Sequence, residues 1–155
     1  MKLLDNLRRY GVRAFGLGVV NALLLSAVMV PAFLSGISPF PEPPSLAFAE
    51  TLLGTRLPLP IGLVFHVAYV TLWSVVFVVT AYPALTFLRA LGLGFALWLV
   101  LILVFFPFVG WGLLGLAVGP KLIVASLIPH LLFSVFLWGL GRVMFANRAL
   151  EGTPQ

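Results

Sequence analysis

No cysteine occurs among the 155 residues, and only four carboxylates do. Without a thiol the chain can make no disulfide, no thiolate metal site, no iron–sulfur cluster and no cysteine nucleophile. Charged residues are 8% of the sequence against 62% hydrophobic ones, where a soluble domain carries about 25% and about 45–50%. A chain of this length has too little interior to hide so much apolar surface, so its solvent must be lipid. No Asp, Glu, Lys or Arg falls well inside the long apolar runs. That absence removes paired carboxylates, a Ser–His–Asp triad and the intramembrane acids of proton-coupled pumps.

What is present is helix of membrane-spanning length. A hydrocarbon core about 30 Å thick is crossed by roughly 20 apolar residues at about 1.5 Å of rise each. Four runs meet that length, at residues 14–35, 61–80, 90–109 and 122–145. They leave one long loop, residues 36–60, two short turns and no room for a second domain, so residues 1–155 form a single membrane domain. The expected fold is all-α, an antiparallel bundle of four transmembrane helices. The first 13 residues, MKLLDNLRRYGVR, alternate Leu3, Leu4, Leu7 and Tyr10 with basic side chains and read as a short amphipathic turn lying on the membrane surface. The apolar run that follows is longer than the roughly 7–15 residues of a signal-peptide core and lacks an A-x-A-like cleavage site, so it reads as a retained span. Within the long loop, PFPEPP is extended chain and Ser45 is placed to cap a short helix through Leu53 that lies flat at the interface.

The net charge of +5 follows membrane topology rather than nucleic acid. Lys2, Arg8, Arg9, Arg13, Arg89, Arg142 and Arg148 flank one side of the spans, and only Arg56 and Lys121 the other. The positive-inside rule then puts both termini in the cytoplasm, in the plasma membrane of a bacterium or archaeon.

A second order lies over the first. Shifted by 76 residues, RAFGLG (Arg13 to Gly18) lands on RALGLG (Arg89 to Gly94), Pro31 on Pro107 and Gly36 on Gly112. Ten of the 24 positions from Arg13 to Gly36 are identical in this register. At a shift of 64, PIGLVFHVAYV (Pro60 to Val70) lies over VASLIPHLLFS (Val124 to Ser134), and His66 falls on His130. The expectation is two tandem helical hairpins of the same orientation, related by an axis along the membrane normal.

His66 and His130 are the only titratable side chains well inside the spans apart from tyrosine. A polar ring in hydrocarbon must find a partner or lose its hydration without compensation. Each has a small residue four positions earlier, Gly62 and Ser126, and an aromatic three positions later, Tyr69 and Phe133. Those positions share the histidine's helical face, so a small residue above and a ring below would leave a slot for a flat ligand. Two facing imidazoles suit the axial positions of haem b, which would make the chain an electron-relaying subunit. A copper or zinc site would use the same pair, but no Cys, Asp or Glu supplies a third ligand, and of the thioethers only Met29 has a suitable depth. A quinone or lipid pocket is the remaining ligand reading. Against all of these stands a cofactor-free accessory subunit, whose histidines hydrogen-bond within the bundle and whose partners are lipid, other membrane subunits or further copies of itself.

Lesser features follow the same pattern. Asn21 is a strong hydrogen-bonding amide in a span and reads as a packing contact, Gly16, Gly18, Gly92 and Gly94 as close helix approaches. Pro129 precedes His130 and frees a backbone carbonyl near its ring.

Overall fold

A computed structural model describes residues 2–145; Met1, Arg148 and the polar tail at 151–155 lie outside the described residues. Among the described residues every regular element is helical. Helices α1 (Lys2–Leu34), α3 (Leu59–Ala81), α4 (Phe87–Phe108) and α5 (Lys121–Phe145) are each long and apolar enough to cross a membrane. A short helix α2 (Pro44–Leu53) lies in the loop between α1 and α3.

The basic N-terminal residues are not a separate surface turn: they are the first turns of α1. The buried stripe explains why. Tyr10, Ala14, Leu17, Gly18, Asn21, Ala22 and Leu25 recur at the spacing of one helical face, which continues past the exposed Arg13 without a break. Tyr10 is buried against Tyr82, ring centroids 4.1 Å apart, and Asn6 Nδ2 donates to the Val79 carbonyl at 2.9 Å. The chain leaves α1 through Gly36, whose φ of 75° is the left-handed turn a glycine tolerates.

Helix α2 begins with Pro44 in its first turn, where a missing N–H costs nothing, and ends at Gly54 in the left-handed conformation. Leu46, Ala47 and Ala49 are buried while Leu52 and Leu53 stand exposed. The helix thus lies on the bundle as a cap. With Phe40, its Ala47 joins Ile102, Phe106, Trp111 and Leu122 in a small core at this end.

Helix α4 starts at Thr86, whose hydroxyl accepts from Arg89 N–H. Its last turns widen into a π-helical turn at Leu101–Phe105. Pro107 has no N–H to offer Leu103, and just before it the Phe106 N–H reaches back five residues to the Leu101 carbonyl.

All neighbouring spans run antiparallel. Gly18 of α1 meets Thr71 and Ser74 of α3; Gly94 of α4 meets His130 and Ser134 of α5. The start of α1 touches the end of α5 through Tyr10 and Phe145, 6.0 Å between centroids. Helix α1 packs most widely on α3, α4 on α5, and the α1–α5 contact joins these pairs around Leu17, Ala22, Phe77, Val78, Leu97 and Leu137. Helices α3 and α4 barely touch. One end of the bundle carries Lys2, Arg8, Arg9, Arg13, Arg89 and Arg142 and is called the basic end below; the other carries α2.

Only 28–33% of the most apolar 18-residue stretch of each span is buried inside the bundle. The remainder presents residues such as Leu23, Leu72, Val104 and Val124 outward. An apolar solvent must cover them, in agreement with lipid.

Candidate functional site: the two histidines

His66, on α3, is half-buried and faces α1, where the Ala22 backbone is the hydrogen-bonding neighbour of its ring. The same carbonyl accepts the Ser26 hydroxyl at 2.8 Å. His66 Nε2 is buried and has no partner among the described residues.

His130, on α5, is settled by its own helix. Its Nδ1 lies 2.7 Å from the Ser126 carbonyl, an acceptor, so Nδ1 carries the proton and Nε2 the free lone pair. Pro129 deprives the Ala125 carbonyl of its usual donor, and the ring occupies the next carbonyl along. The carbonyl of His130 itself accepts Ser134 Oγ at 2.8 Å and abuts Gly94.

The small residues beside the histidines are already filled by protein. A Cβ on Gly62 would stand 2.7 Å from Leu46 Cβ, so this glycine is the seat of α2. Ser126 is fully buried; its hydroxyl accepts Trp98 Nε1 at 3.0 Å and donates to the Ile123 carbonyl at 3.0 Å. Tyr69 stands edge-on to Trp73 and Phe105, at 6.3 and 5.8 Å. Phe133 is 4% exposed within the central core. The six residues are thereby spread over separate contacts: Gly62 on α2, His66 on α1, Tyr69 on α4, Ser126 and His130 at the α4–α5 seam, and Phe133 in the centre.

The helix register adds to this. In each pair a glycine seats against a serine, Gly18 on Ser74 and Gly94 on Ser134. Both serines donate back to the carbonyl four residues earlier, Val70 and His130, at 2.8 Å each. Measured from these seats, the counterpart of His130 is Val70 and that of His66 is Ser126. In packing register His66 is therefore offset by four residues from the counterpart of His130, about 6 Å of helix.

Sequence reasoning did not foresee the serine seats, whose only signal is the pairing of Gly18 and Gly94 with small residues on the following helix. The packing contact expected of Asn21 is present, in a polar seam between α1 and α3 whose Ser74 and Thr71 were not foreseen. There Asn21, fully buried, donates through Nδ2 to Ser74 Oγ at 3.5 Å, while its Oδ1 and the Thr71 hydroxyl have no partner among the described residues. At the loop end Glu50 accepts from Leu57 N–H at 2.8 Å and from Arg56 at 3.2 Å, and Glu42 lies 3.9 Å from the same guanidinium. Burial, then the charge of Glu50, lifts the Glu42 carboxyl above the usual carboxylate range against the opposing pull of Arg56. Among the described residues no three His, Asp or Glu side chains gather as a metal-binding group.

Comparison with known protein families, curated proteins and solved structures finds no match to this chain.

Proposed function

We propose that this chain is a small integral subunit of a larger membrane assembly, binding its neighbours through the outward faces of its spans and holding no cofactor of its own. The observation that carries the reading is the filling of the space beside each histidine, Gly62 by Leu46 and Ser126 by Trp98. The imidazoles then act as packing groups that satisfy backbone carbonyls inside hydrocarbon. Among the described residues the longest segment outside the spans is the one between α1 and α3, and in this reading the chain's work is done within the bilayer. In this reading both termini face the cytoplasm of a bacterium or archaeon, and the chain is two tandem hairpins whose glycine seats repeat.

One specific observation favours a second reading. His66 Nε2 is buried without a partner, and the Nδ1 bond of His130 leaves its Nε2 free, the tautomer a metal-ligating histidine uses. A pair of such nitrogens suits haem b with His66 and His130 as axial ligands. It would require Leu46 or Trp98 to move aside, with Gly62, Ser126, Tyr69 and Phe133 lining the opened space.

Because the chain lacks cysteine, single-cysteine variants test the subunit reading without background. On α5, Val124, Ile128, Leu131 and Val135 form one exposed stripe. In native membranes, a thiol cross-linker acting on cysteines along this stripe and the outward faces of α1, α3 and α4 is expected to give a discrete heavier adduct from one face. Absence of an adduct from every face would sink the reading. Thr55→Cys in the same series should react with a membrane-impermeant maleimide added from outside the cell; protection there would reverse the orientation.

A further inference from the structure

Helices α3 and α4 make few contacts and stand largely apart, with Tyr69 meeting Phe105 in the half nearest α2. Toward the basic end the parting leaves an open groove of about 370 Å³, lined by Val76, Phe77, Thr80, Ala81, Arg89 and Leu93. Its volume falls near the lower end of the roughly 300–1,000 Å³ of small-ligand sites. The Thr80 hydroxyl is turned back to its own helix, bonding the Val76 carbonyl at 2.7 Å, so the walls are apolar down to the mouth.

At that mouth lies Arg89. Its Nη1 donates to the carbonyls of Ala81 and Ala84, each at 3.2 Å, which anchors the guanidinium at the end of α3. Nε and Nη2 have no partner among the described residues. Among the described residues no carboxylate pairs with them, Asp5 at the same end included. Glu42 and Glu50 lie at the opposite end, and every ion pair among the described residues belongs to Arg56. A fixed cation with free donors at the rim of an apolar groove has the charge and shape of one occupant in a bilayer, an amphiphile with an anionic head.

We infer that an anionic phospholipid occupies the α3–α4 groove, its acyl chain against Val76, Phe77 and Leu93 and its phosphate paired with Arg89. The inference rests on the four helices crossing a bilayer and not on either reading of the histidines. Phosphate suits the fork of the guanidinium, and a basic residue near an anionic leaflet contributes about 1 kcal/mol, close to a fivefold change in occupancy. Filling the groove also lets α3 and α4 stay apart without exposing an empty cleft.

The test is native mass spectrometry of the full chain from nanodiscs of phosphatidylglycerol or of phosphatidylcholine, comparing retained lipid. Wild type is expected to retain phosphatidylglycerol in preference to phosphatidylcholine. R89Q should lower phosphatidylglycerol retention about fivefold and leave phosphatidylcholine unchanged. T80F, at an exposed position on the groove wall, should lower both. R8Q combined with R9Q, at the same end but outside the groove, should match wild type. The inference is overturned if R89Q and T80F retain phosphatidylglycerol as wild type does. It is equally overturned if loss of Arg8 and Arg9 costs as much as loss of Arg89, since attraction is then diffuse.

Discussion

A methyl group added to Gly18 would stand 2.7 Å from the Thr71 Cα, and one on Gly94 would overlap Ser134 and press on the His130 carbonyl at 2.7 Å. Neither neighbour is the loose end of a side chain, so the helices themselves would have to separate. Overpacking of this kind costs about 1–3 kcal/mol. Gly16 and Gly92, two residues away in the same motifs, have nothing within 4 Å, and alanine there gains about 0.8–1 kcal/mol of helix propensity. Thermal unfolding in detergent should therefore split the four alanine variants: Gly18→Ala and Gly94→Ala melt lower than wild type, Gly16→Ala and Gly92→Ala no lower. Equal behaviour within each motif would remove the seats as the basis of packing. The motifs RAFGLG and RALGLG mark all four glycines alike. What separates them is the rotation of each helix, legible only in the stripe from Tyr10 to Leu25, which includes Gly18 and omits Gly16. His66 and His130 were legible as polar groups needing partners. Which partner each takes was not, because every helix offers a carbonyl four residues back and each interhelical seam offers another.

Among the elements, the spans were legible because hydrocarbon thickness sets their length; α2 ends at Leu53 as expected, but it starts at Pro44 with Ser45 inside the helix and not capping it. The union of the basic start with α1 was not legible. A charged, amphipathic segment has the same composition whether it lies on a membrane or continues a span, and the partners of Asn6 and Tyr10 lie more than 70 residues away. The π-helical turn was hidden likewise, inside a run with no glycine or polar residue to announce it. The α2 end carries the pH-sensitive group. Glu42, raised by burial and by Glu50, binds its proton more tightly folded than unfolded. Its contribution is complete below the ordinary carboxylate value and is lost as pH rises through the raised one. Between those limits wild type should lose thermal stability relative to Glu42→Gln, whose melting temperature lacks this component. A difference between the two proteins that stays constant from pH 4 to 7 would show that Glu42 titrates normally. Arg56, 89% exposed on its side chain, does little to offset this.

For the whole molecule, the decisive quantity is how little of each span the bundle buries, about a third at most. A protein so built is stable only where its outer surface is solvated by lipid or by other spans, which is why its role is sought on that surface. Its interior is occupied: Leu46 sits on Gly62, Trp98 on Ser126, and α3 and α5 are held apart from direct pairing by their separate contacts with α1 and α4. At a shift of 64 residues the sequence pairs His66 with His130. The glycine seats pair His130 with Val70 instead, four residues along from His66, so the register of packing and the register of sequence identity differ by about a turn. The central claim is that these imidazoles pack the bundle and hold no group. The absorption spectrum of the full chain, purified from cells supplied with haem precursor, tests it most directly. The account predicts protein absorbance alone, unchanged in His66→Ala and His130→Ala. A sharp low-spin haem spectrum that disappears in both variants would contradict it.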